Sequence, residues 1–258
     1  MNKIKLAFSL FCLSIFTLCA QSSDALLQYK EYLDEGTLGG QHWPEDERKP
    51  ETRYHSFKKV FDHFEETGGK IVVELGTSRS FTHGGHPGCN KDNKKYWMPD
   101  SPEFWDWGAG FFTRMACECL SHLNPEIHTV DISARHINRC KHMTADFKPY
   151  LKYHVASSLT FLKRCRFKNG IDLLYLDTGD ITPIEPTAKL HLAEAKIIVE
   201  RDLIAPNGMI LIDDVRNQTP RLYGEKSKLG KAKYSIPYFL QNGFEIVMDE
   251  YQVILRKK

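Results

Sequence analysis

The sequence predicts an α/β fold: a doubly wound, mainly parallel sheet of seven strands, with helices on both faces and a C-terminal antiparallel hairpin. Apolar segments alternate with amphipathic ones along most of the 258 residues, which is the pattern of strands joined by helices. The segments IVVEL, DLLYL and MILI are apolar without alternation, as expected of central strands buried on both faces. Two consecutive strand-like segments end the chain, and because no helix separates them they predict the hairpin.

The predicted elements follow one another from residue 70 onward. The helix at 186–203 is the clearest, because Pro186 stands near its start and Leu190, Ala193 and Ile197 recur at helical spacing. Before the sheet, short helices at 26–33 and 55–64 are expected to form a lid or cap. We expect strands at 70–75, 127–132, 151–156, 171–177, 208–213, 244–248 and 252–256, and further helices at 109–122, 134–147, 159–166 and 235–242.

Composition places the chain among ordinary globular proteins. Hydrophobic residues make up 41% and charged residues 26%. The net charge of +2 gives no argument for a nucleic-acid partner. Two of the seven cysteines lie in the N-terminal segment. The others are scattered, which favours buried thiols over a disulfide framework.

The N-terminus has the pattern of a secretory signal peptide or membrane tether. Lys3 and Lys5 precede an almost wholly apolar segment that ends at Ala20, and polar residues follow. A short buried or membrane-surface helix is the alternative. We therefore divide the chain into a leader at 1–23, an N-terminal helical cap at 24–67 and a main domain at 68–258 with an insertion at 79–110.

The turn after the first predicted strand is a candidate ligand site, because open α/β sheets bind ligands at the carboxyl ends of their strands. The strand contains Glu74, and Gly76, Thr77 and Ser78 follow it. The glycine permits a tight turn and a close backbone approach by a ligand. No G-x-G-x-x-G motif is present, which weakens a dinucleotide interpretation.

The ends of the second and third predicted strands extend this candidate site. Asp131, followed by Ile132, is placed to accept hydrogen bonds from a ribose diol. Ser157 and Ser158 follow the third strand, near the expected adenine edge. Each of these residues is also typical of an ordinary turn or helix cap, so the prediction depends on their occurrence at successive strand ends.

Carboxylates follow the fourth and fifth predicted strands. Asp177 and Asp180 come after the fourth, and Asp213 and Asp214 after the fifth. Like charges at neighbouring strand ends raise one another's pKa values and are costly when unpaired. A divalent cation relieves this cost, and oxygen ligands favour Mg²⁺, Mn²⁺ or Ca²⁺ over zinc. The alternative is that Asp177 caps a turn and Asp214 pairs with Arg216 or Arg221.

Four motifs together resemble those of the class I S-adenosylmethionine-dependent methyltransferases, which have a Rossmann-like fold. They are VELGTS, HTVDIS, LLYLD and APNGMILIDD, and the resemblance covers about residues 68–256. It implies that 68–258 is a methyltransferase domain that binds S-adenosyl-L-methionine around Glu74, Gly76, Thr77 and Asp131. The Asp-Asp pair, with the acid after the fourth strand, is similar to the metal-dependent O-methyltransferases of the catechol type and the macrocin-type sugar enzymes.

This resemblance also implies a reaction. Mg²⁺ or another divalent cation would be held by Asp177, Asp213 and Asp214, and a metal-bound hydroxyl of a small molecule or sugar would lose its proton more easily. The methyl group would then be transferred directly. In the sugar enzymes a further acid just after the fourth-strand ligand serves as the base. Asp180 is the nearest match, although its gap is one residue longer, so Asp177 and Asp180 are the candidate catalytic acids.

Two segments depart from a minimal domain of this kind. Glu74 and Asp131 lie much further apart than the usual ~20 residues, and the insertion at 79–110 accounts for the excess. Its aromatic residues either wall a substrate pocket or pack on the N-terminal helices, and His83, His86 and Cys89 are spaced like metal ligands but lack a fourth, which favours a glycine-rich loop. The basic segment at 216–233 is interpreted as a solvated loop, with contact to an anionic substrate as the alternative.

Two other functions stay open from the sequence. One is a different nucleotide-binding enzyme on the same fold, which the missing glycine motif disfavours. The other is an exported binding protein that keeps the fold without the activity, which the leader supports because S-adenosylmethionine is cytoplasmic. We expect a small-molecule substrate and no nucleic acid. Membrane association through the N-terminus and homodimer formation also stay open.

Overall fold

The computed structural model describes residues 25–30, 33, 53–77, 94–100, 110–181, 183–215 and 229–258. The predicted leader, Ser78, the His83/His86/Cys89 group and the basic residues at 216–228 lie outside the described residues. Cys117, Cys119, Cys140 and Cys165 are free thiols, and all but Cys165 are buried, as predicted. None of the described helices has the length and apolar character needed to cross a bilayer.

One sheet of seven strands organises the described chain. Its order is β3-β2-β1-β4-β5-β7-β6, the first five strands are parallel, and β7 is antiparallel to both β5 and β6. The strands are β1 (Ile71–Leu75), β2 (Glu126–Asp131), β3 (Leu151–Val155), β4 (Ile171–Leu176), β5 (Ile204–Ile212), β6 (Phe244–Asp249) and β7 (Val253–Lys257). The predicted fold class and its C-terminal hairpin are confirmed.

Helices cover both faces of the sheet, as predicted. They are α1 (Tyr54–Glu66), α2 (Phe111–Leu120), α3 (Ala134–Met143), α4 (Ser158–Arg164), α5 (Ile184–Glu200) and α6 (Ser235–Gln241). The helix predicted at 134–147 ends at Met143, because the chain continues as a 3₁₀ helix that contains Pro149. β5 begins at Ile204, before the predicted start, because Pro206-Asn207-Gly208 is accommodated by a shift in register against β4 rather than by a turn.

Two apolar layers result from the alternation of side chains along the strands. Leu173 and Tyr175 of β4 face α1, α2 and α3, whereas Leu174 and Leu176 face α4, α5 and α6. On the first face the Phe57 ring lies 5.7 Å from that of Tyr175 and 5.6 Å from that of Phe112, measured between centroids. Helix α1 therefore packs directly on the centre of the sheet.

A buried polar network fastens α5 to the segment after β4. Glu194 is fully buried and its two carboxylate oxygens accept from the Thr178 hydroxyl at 2.8 and 2.9 Å. Burial raises the pKa of Glu194 to about 7, against the hydrogen bonds from Ser158 and Thr178, which lower it. One turn earlier His191 donates from Nε2 to the Thr178 carbonyl at 3.0 Å, and burial lowers its pKa to about 3.

Replacing Phe57 by alanine tests the attachment of α1 to the sheet. Phe57 is 0% exposed, so Phe57→Ala should lower the free energy of unfolding by about 3–5 kcal/mol through lost burial and a residual cavity. Lys59→Ala on the exposed face of the same helix should change it by less than about 0.5 kcal/mol. Urea unfolding followed by circular dichroism measures both, and equal stability of the two variants would contradict the packing.

Replacing Glu194 by glutamine tests the buried carboxyl group. A carboxyl whose pKa is higher in the folded than in the unfolded protein binds its proton more tightly when folded, so stability falls as pH rises between the two values. The pKa of Glu194 is raised from its ordinary value of 4.5 to about 7 in the folded protein, and these two values bound the pH range of the effect. From pH 5 to pH 8 the wild type should therefore lose about 2 kcal/mol relative to Glu194→Gln.

Urea unfolding of both proteins at several pH values measures this difference. His191 titrates in both, so its contribution cancels in the comparison. Parallel stability profiles for wild type and Glu194→Gln would show that the carboxyl has an ordinary pKa.

Candidate active site at the carboxyl edge of the sheet

The ends of β1 and β4 are pressed together at Gly76. Its backbone has φ of 84°, and a Cβ there would collide with the backbone carbonyl of Asp177. Only glycine fits without strain. The Gly76 N–H donates to the Val130 carbonyl at 2.9 Å, so this turn also joins β1 to β2. The strand order reverses between β1 and β4, and open α/β sheets bind ligands at such a point.

Asp131 is held in place at the end of β2. One carboxylate oxygen accepts from the Thr77 N–H at 3.1 Å, and the other accepts from the Ser133 N–H at 2.7 Å. His136 Nδ1 lies 3.4 Å from the second oxygen. The side chain keeps 11% of its surface exposed. Asp131 is therefore fixed at the carboxyl edge of the sheet, whose part beside β1, β2 and β3 we call the rim. A carboxylate has about four acceptor positions, so Asp131 can still accept hydrogen bonds from a ligand.

Exposed apolar side chains flank this carboxylate. Ile132 is 77% exposed and Val155, at the end of β3, is 56% exposed. Large apolar side chains next to a fixed polar group are typical of ligand sites. The two predicted serines are engaged elsewhere: Ser157 caps α4 by accepting from the Thr160 N–H at 3.2 Å, and Ser158 is buried and donates to Glu194.

Glu74 lies beneath the rim rather than on it. Its side chain is fully buried and accepts hydrogen bonds from the hydroxyls of Thr113 on α2 and Thr129 on β2. The Thr129 hydroxyl also lies 3.1 Å from that of Thr77. The carboxylate thus supports the first turn from below, where it does not reach the open edge.

Three aspartates converge at the ends of β4 and β5. Asp177, Asp213 and Asp214 each offer an oxygen atom within 4.8 Å of the others, as the sequence predicted. Asp214 adopts a left-handed backbone with φ of 53°, a conformation that is uncommon for a residue other than glycine. Asp180 is exposed and lies outside this cluster.

Two cations pair with the three aspartates. Lys231 Nζ lies 2.8 Å from Asp177 Oδ1 and 2.7 Å from Asp214 Oδ2. Arg53, at the N-cap of α1, donates to both oxygens of Asp213 at 3.1 and 3.2 Å and lies 3.4 Å from Asp214 Oδ1. Lys231 is 1% exposed. It was predicted as part of a basic segment in a solvated loop, and that interpretation is wrong for this residue, whereas contact with an anionic substrate stays an alternative.

Neutral donors complete the cluster. Gln252 is fully buried and donates to Asp213 Oδ1 at 2.9 Å, while the Tyr251 hydroxyl donates to Asp214 Oδ1. At least five of the six carboxylate oxygens therefore accept a hydrogen bond from within the described chain. Such saturation is what a buried group of charges requires.

The surroundings shift the pKa values of these groups in opposite directions. Burial raises the pKa of Asp177 to about 7, opposed by Lys231 and reinforced by the charges of Asp213 and Asp214. For Asp214, burial acts upward, but Lys231 and Arg53 lower the pKa overall. Burial alone would lower the pKa of Lys231, yet the aspartates raise it overall. The ammonium group is therefore charged at neutral pH.

The donor set suits a hard divalent cation by its chemistry but not by its charge. Three carboxylates facing two cations leave one net negative charge, whereas a divalent ion is usually balanced by several carboxylates free to coordinate it. With Lys231 and Arg53 in place, the three aspartates do not fit Mg²⁺. The Mg²⁺ site stays a prediction from the family resemblance.

Sequence reasoning missed Arg53 and Gln252 as members of this site. Each lies far along the chain from the aspartates it contacts, so no local motif connects them. Arg216 and Arg221, which the alternative to a metal site pairs with Asp214, lie outside the described residues. In the described chain its partners are Lys231, Arg53 and Tyr251.

No protein-family model matches the sequence, and no curated protein does. Among solved structures, one similar fold is that of the SAH-bound methyltransferase PaMTH1 of Podospora anserina. The match covers 100% of this chain and 96% of PaMTH1, with 14% sequence identity and a TM-score of 0.54. A Klebsiella pneumoniae protein, provisionally classed as an O-methyltransferase, matches 90% over 89% of its own chain, at 11% identity and 0.50. A third similar structure is that of a Staphylococcus aureus protein provisionally classed as a caffeoyl-CoA O-methyltransferase. The match covers 79% of this chain and 83% of that protein, with 11% sequence identity and a TM-score of 0.50. The chain therefore has the fold of the class I S-adenosylmethionine-dependent methyltransferases.

Proposed function

We propose that the protein transfers the methyl group of S-adenosyl-L-methionine to a hydroxyl group of a small molecule or sugar. The observation that carries the proposal is the rim at the end of β2, where two backbone N–H groups hold the Asp131 carboxylate beside the exposed Ile132. PaMTH1, which has a similar fold, was solved with SAH bound.

The rim residues fit a nucleoside cofactor. Asp131 would accept hydrogen bonds from the ribose hydroxyls, and Ile132 and Val155 would lie against the faces or edge of the adenine. Gly76 lets the cofactor approach the backbone closely. When bound, S-adenosylmethionine supplies an electrophilic methyl group on its sulfonium. The protein's tasks are then to orient an acceptor in line with that methyl group and to exclude water.

The aspartate cluster favours a hydroxyl acceptor. It lies at the ends of β4 and β5, and the contact of Gly76 with Asp177 joins it to the nucleoside side of the rim. A hydroxyl must lose its proton to become a good nucleophile, and a carboxylate within hydrogen-bond reach accepts it. We assign that role to Asp177 or to the exposed Asp180. The proposed reaction includes no divalent metal, because Lys231 and Arg53 already pair with the aspartates and leave only one net negative charge.

Removing the Asp131 carboxylate should weaken cofactor binding. Hydrogen bonds to a charged group contribute about 1.5–3 kcal/mol, so Asp131→Ala should lower the affinity for S-adenosylmethionine about 10- to 100-fold. Isothermal titration calorimetry measures the affinity, with circular dichroism to confirm folding because Asp131 also fixes its turn. Asp146→Ala, at a side chain that is 73% exposed, is the matched control and should bind like wild type.

Two results would contradict the cofactor assignment. One is a folded wild type that gives no heat with S-adenosylmethionine, which would favour the binding-protein alternative. The other is unchanged affinity in Asp131→Ala, which would place the nucleoside elsewhere.

Acceptor chemistry is tested by SAH release in the presence of phenols, catechols and glycosides, with amines and thiols as comparison. We expect turnover with hydroxyl compounds. Asp177→Asn or Asp180→Asn should lower kcat about 10²-fold or more, which is typical of a lost general base, while the affinity for S-adenosylmethionine stays the same. Preferential methylation of amines or thiols would contradict the hydroxyl assignment, and wild-type kcat in both variants would remove these acids from catalysis.

A further inference from the structure

Lys231 occupies an unusual position for a lysine. The side chain is 1% exposed, and its ammonium group lies 2.8 Å from Asp177 Oδ1 and 2.7 Å from Asp214 Oδ2. These two carboxylates belong to the cluster whose oxygens lie within 4.8 Å of one another. The ammonium therefore bridges the ends of β4 and β5, as a bound cation would.

The backbone is shaped to bring Lys231 to this position. Gly230 has φ of 45°, and a Cβ there would collide with the backbone carbonyl of Asp214. Asp214 itself has φ of 53°, so two unusual conformations meet where the 3₁₀ turn Gly230–Ala232 passes the end of β5. Glycine adopts positive φ without strain, but at Asp214 this backbone is costly and persists only where the surroundings enforce it, as is often seen at functional sites.

The charges and hydrogen-bond donors around the three aspartates also leave little room for a divalent ion. Arg53 supplies a second cation, which binds both oxygens of Asp213, and Gln252 and Tyr251 supply neutral donors. A divalent ion would have to displace the Lys231 ammonium from Asp177 and Asp214. It would also add two positive charges to a group in which two cations already face three carboxylates.

We propose that Lys231 is the resident cation of this centre, so that the three aspartates are held without Mg²⁺ or another divalent ion. The ammonium group fixes Asp177 and Asp214 and supplies positive charge beside the acceptor position, but offers no open coordination site. Lys231 is thus a positioning residue. The consequence that methyl transfer needs no added metal rests on the proposed function, whereas the exclusion of metal ions from the cluster does not.

Titration of the full-length wild type with MnCl₂ alone tests the proposal. Mn²⁺ accepts the same oxygen ligands and is followed by electron paramagnetic resonance and calorimetry. We expect no 1:1 binding with a dissociation constant below about 1 mM. We also expect a Tm that neither Mn²⁺ nor EDTA changes. Wild-type 1:1 binding at micromolar Mn²⁺ that Asp213→Asn abolishes would overturn the proposal.

A pair of variants separates the charge of Lys231 from its packing. Lys231→Met removes the ammonium and keeps most of the stem, so a Mn²⁺ site should appear, with at least tenfold tighter binding than wild type and a Tm that rises on Mn²⁺ addition. Lys231→Arg keeps the charge and should gain no Mn²⁺ binding. A folded Lys231→Met that still binds no Mn²⁺ would overturn the role of Lys231. If that variant does not fold, the wild-type titration and Lys231→Arg decide.

The two proposals fail in different ways. If the proposed function is wrong, either S-adenosylmethionine gives no heat or hydroxyl compounds are not the preferred acceptors, and in both cases the Mn²⁺ results are unaffected. If Lys231 is not the resident cation, wild type binds Mn²⁺ through Asp213 while its affinity for S-adenosylmethionine is retained.

Discussion

The buried ion cluster at the ends of β4 and β5 determines how distant parts of this chain come together. Three carboxylates cannot be buried side by side without cations, because an uncompensated buried charge costs several kcal/mol. Arg53 enters the cluster from the segment before α1, and Lys231 from the turn before α6. The same contacts that neutralise the aspartates therefore dock both segments onto the open edge of the sheet.

The sheet topology divides that edge into two connected halves. The ends of β2 and β3 contribute Asp131, Ile132 and Val155, to which the proposed function assigns the nucleoside, while the acids follow β4 and β5. Gly76 stands at the junction, where the strand order reverses and only a residue without a Cβ lets the two strand ends touch. Under the proposed function, the methyl donor would lie on one half of this edge and its acceptor on the other.

The sequence alone predicted what local periodicity and parallel topology determine. The alternation of strands and helices indicated the fold, and the rule that parallel strands share one carboxyl edge was enough to bring Asp177, Asp213 and Asp214 together. Periodicity could not show which cationic side chains pair with those carboxylates. Lys231 belongs to a basic segment that normally lies in solvent, and Arg53 stands in a polar segment that carries no motif. Their burial depends on tertiary contacts, so only the folded chain identifies them.

A metal cofactor cannot be inferred for one chain from an acidic motif that it shares with a family. An Asp…Asp-Asp pattern at strand ends states only that negative charge accumulates there, and both a divalent ion and a pair of cationic side chains satisfy that requirement. The choice between them depends on the charge that folds back onto the acids. Here Gly230 and the left-handed Asp214 bring an ammonium group within hydrogen-bond distance of two of the three carboxylates. The same acidic motif, with an internal cation added, therefore has a different ionic chemistry from the one its sequence resemblance implies.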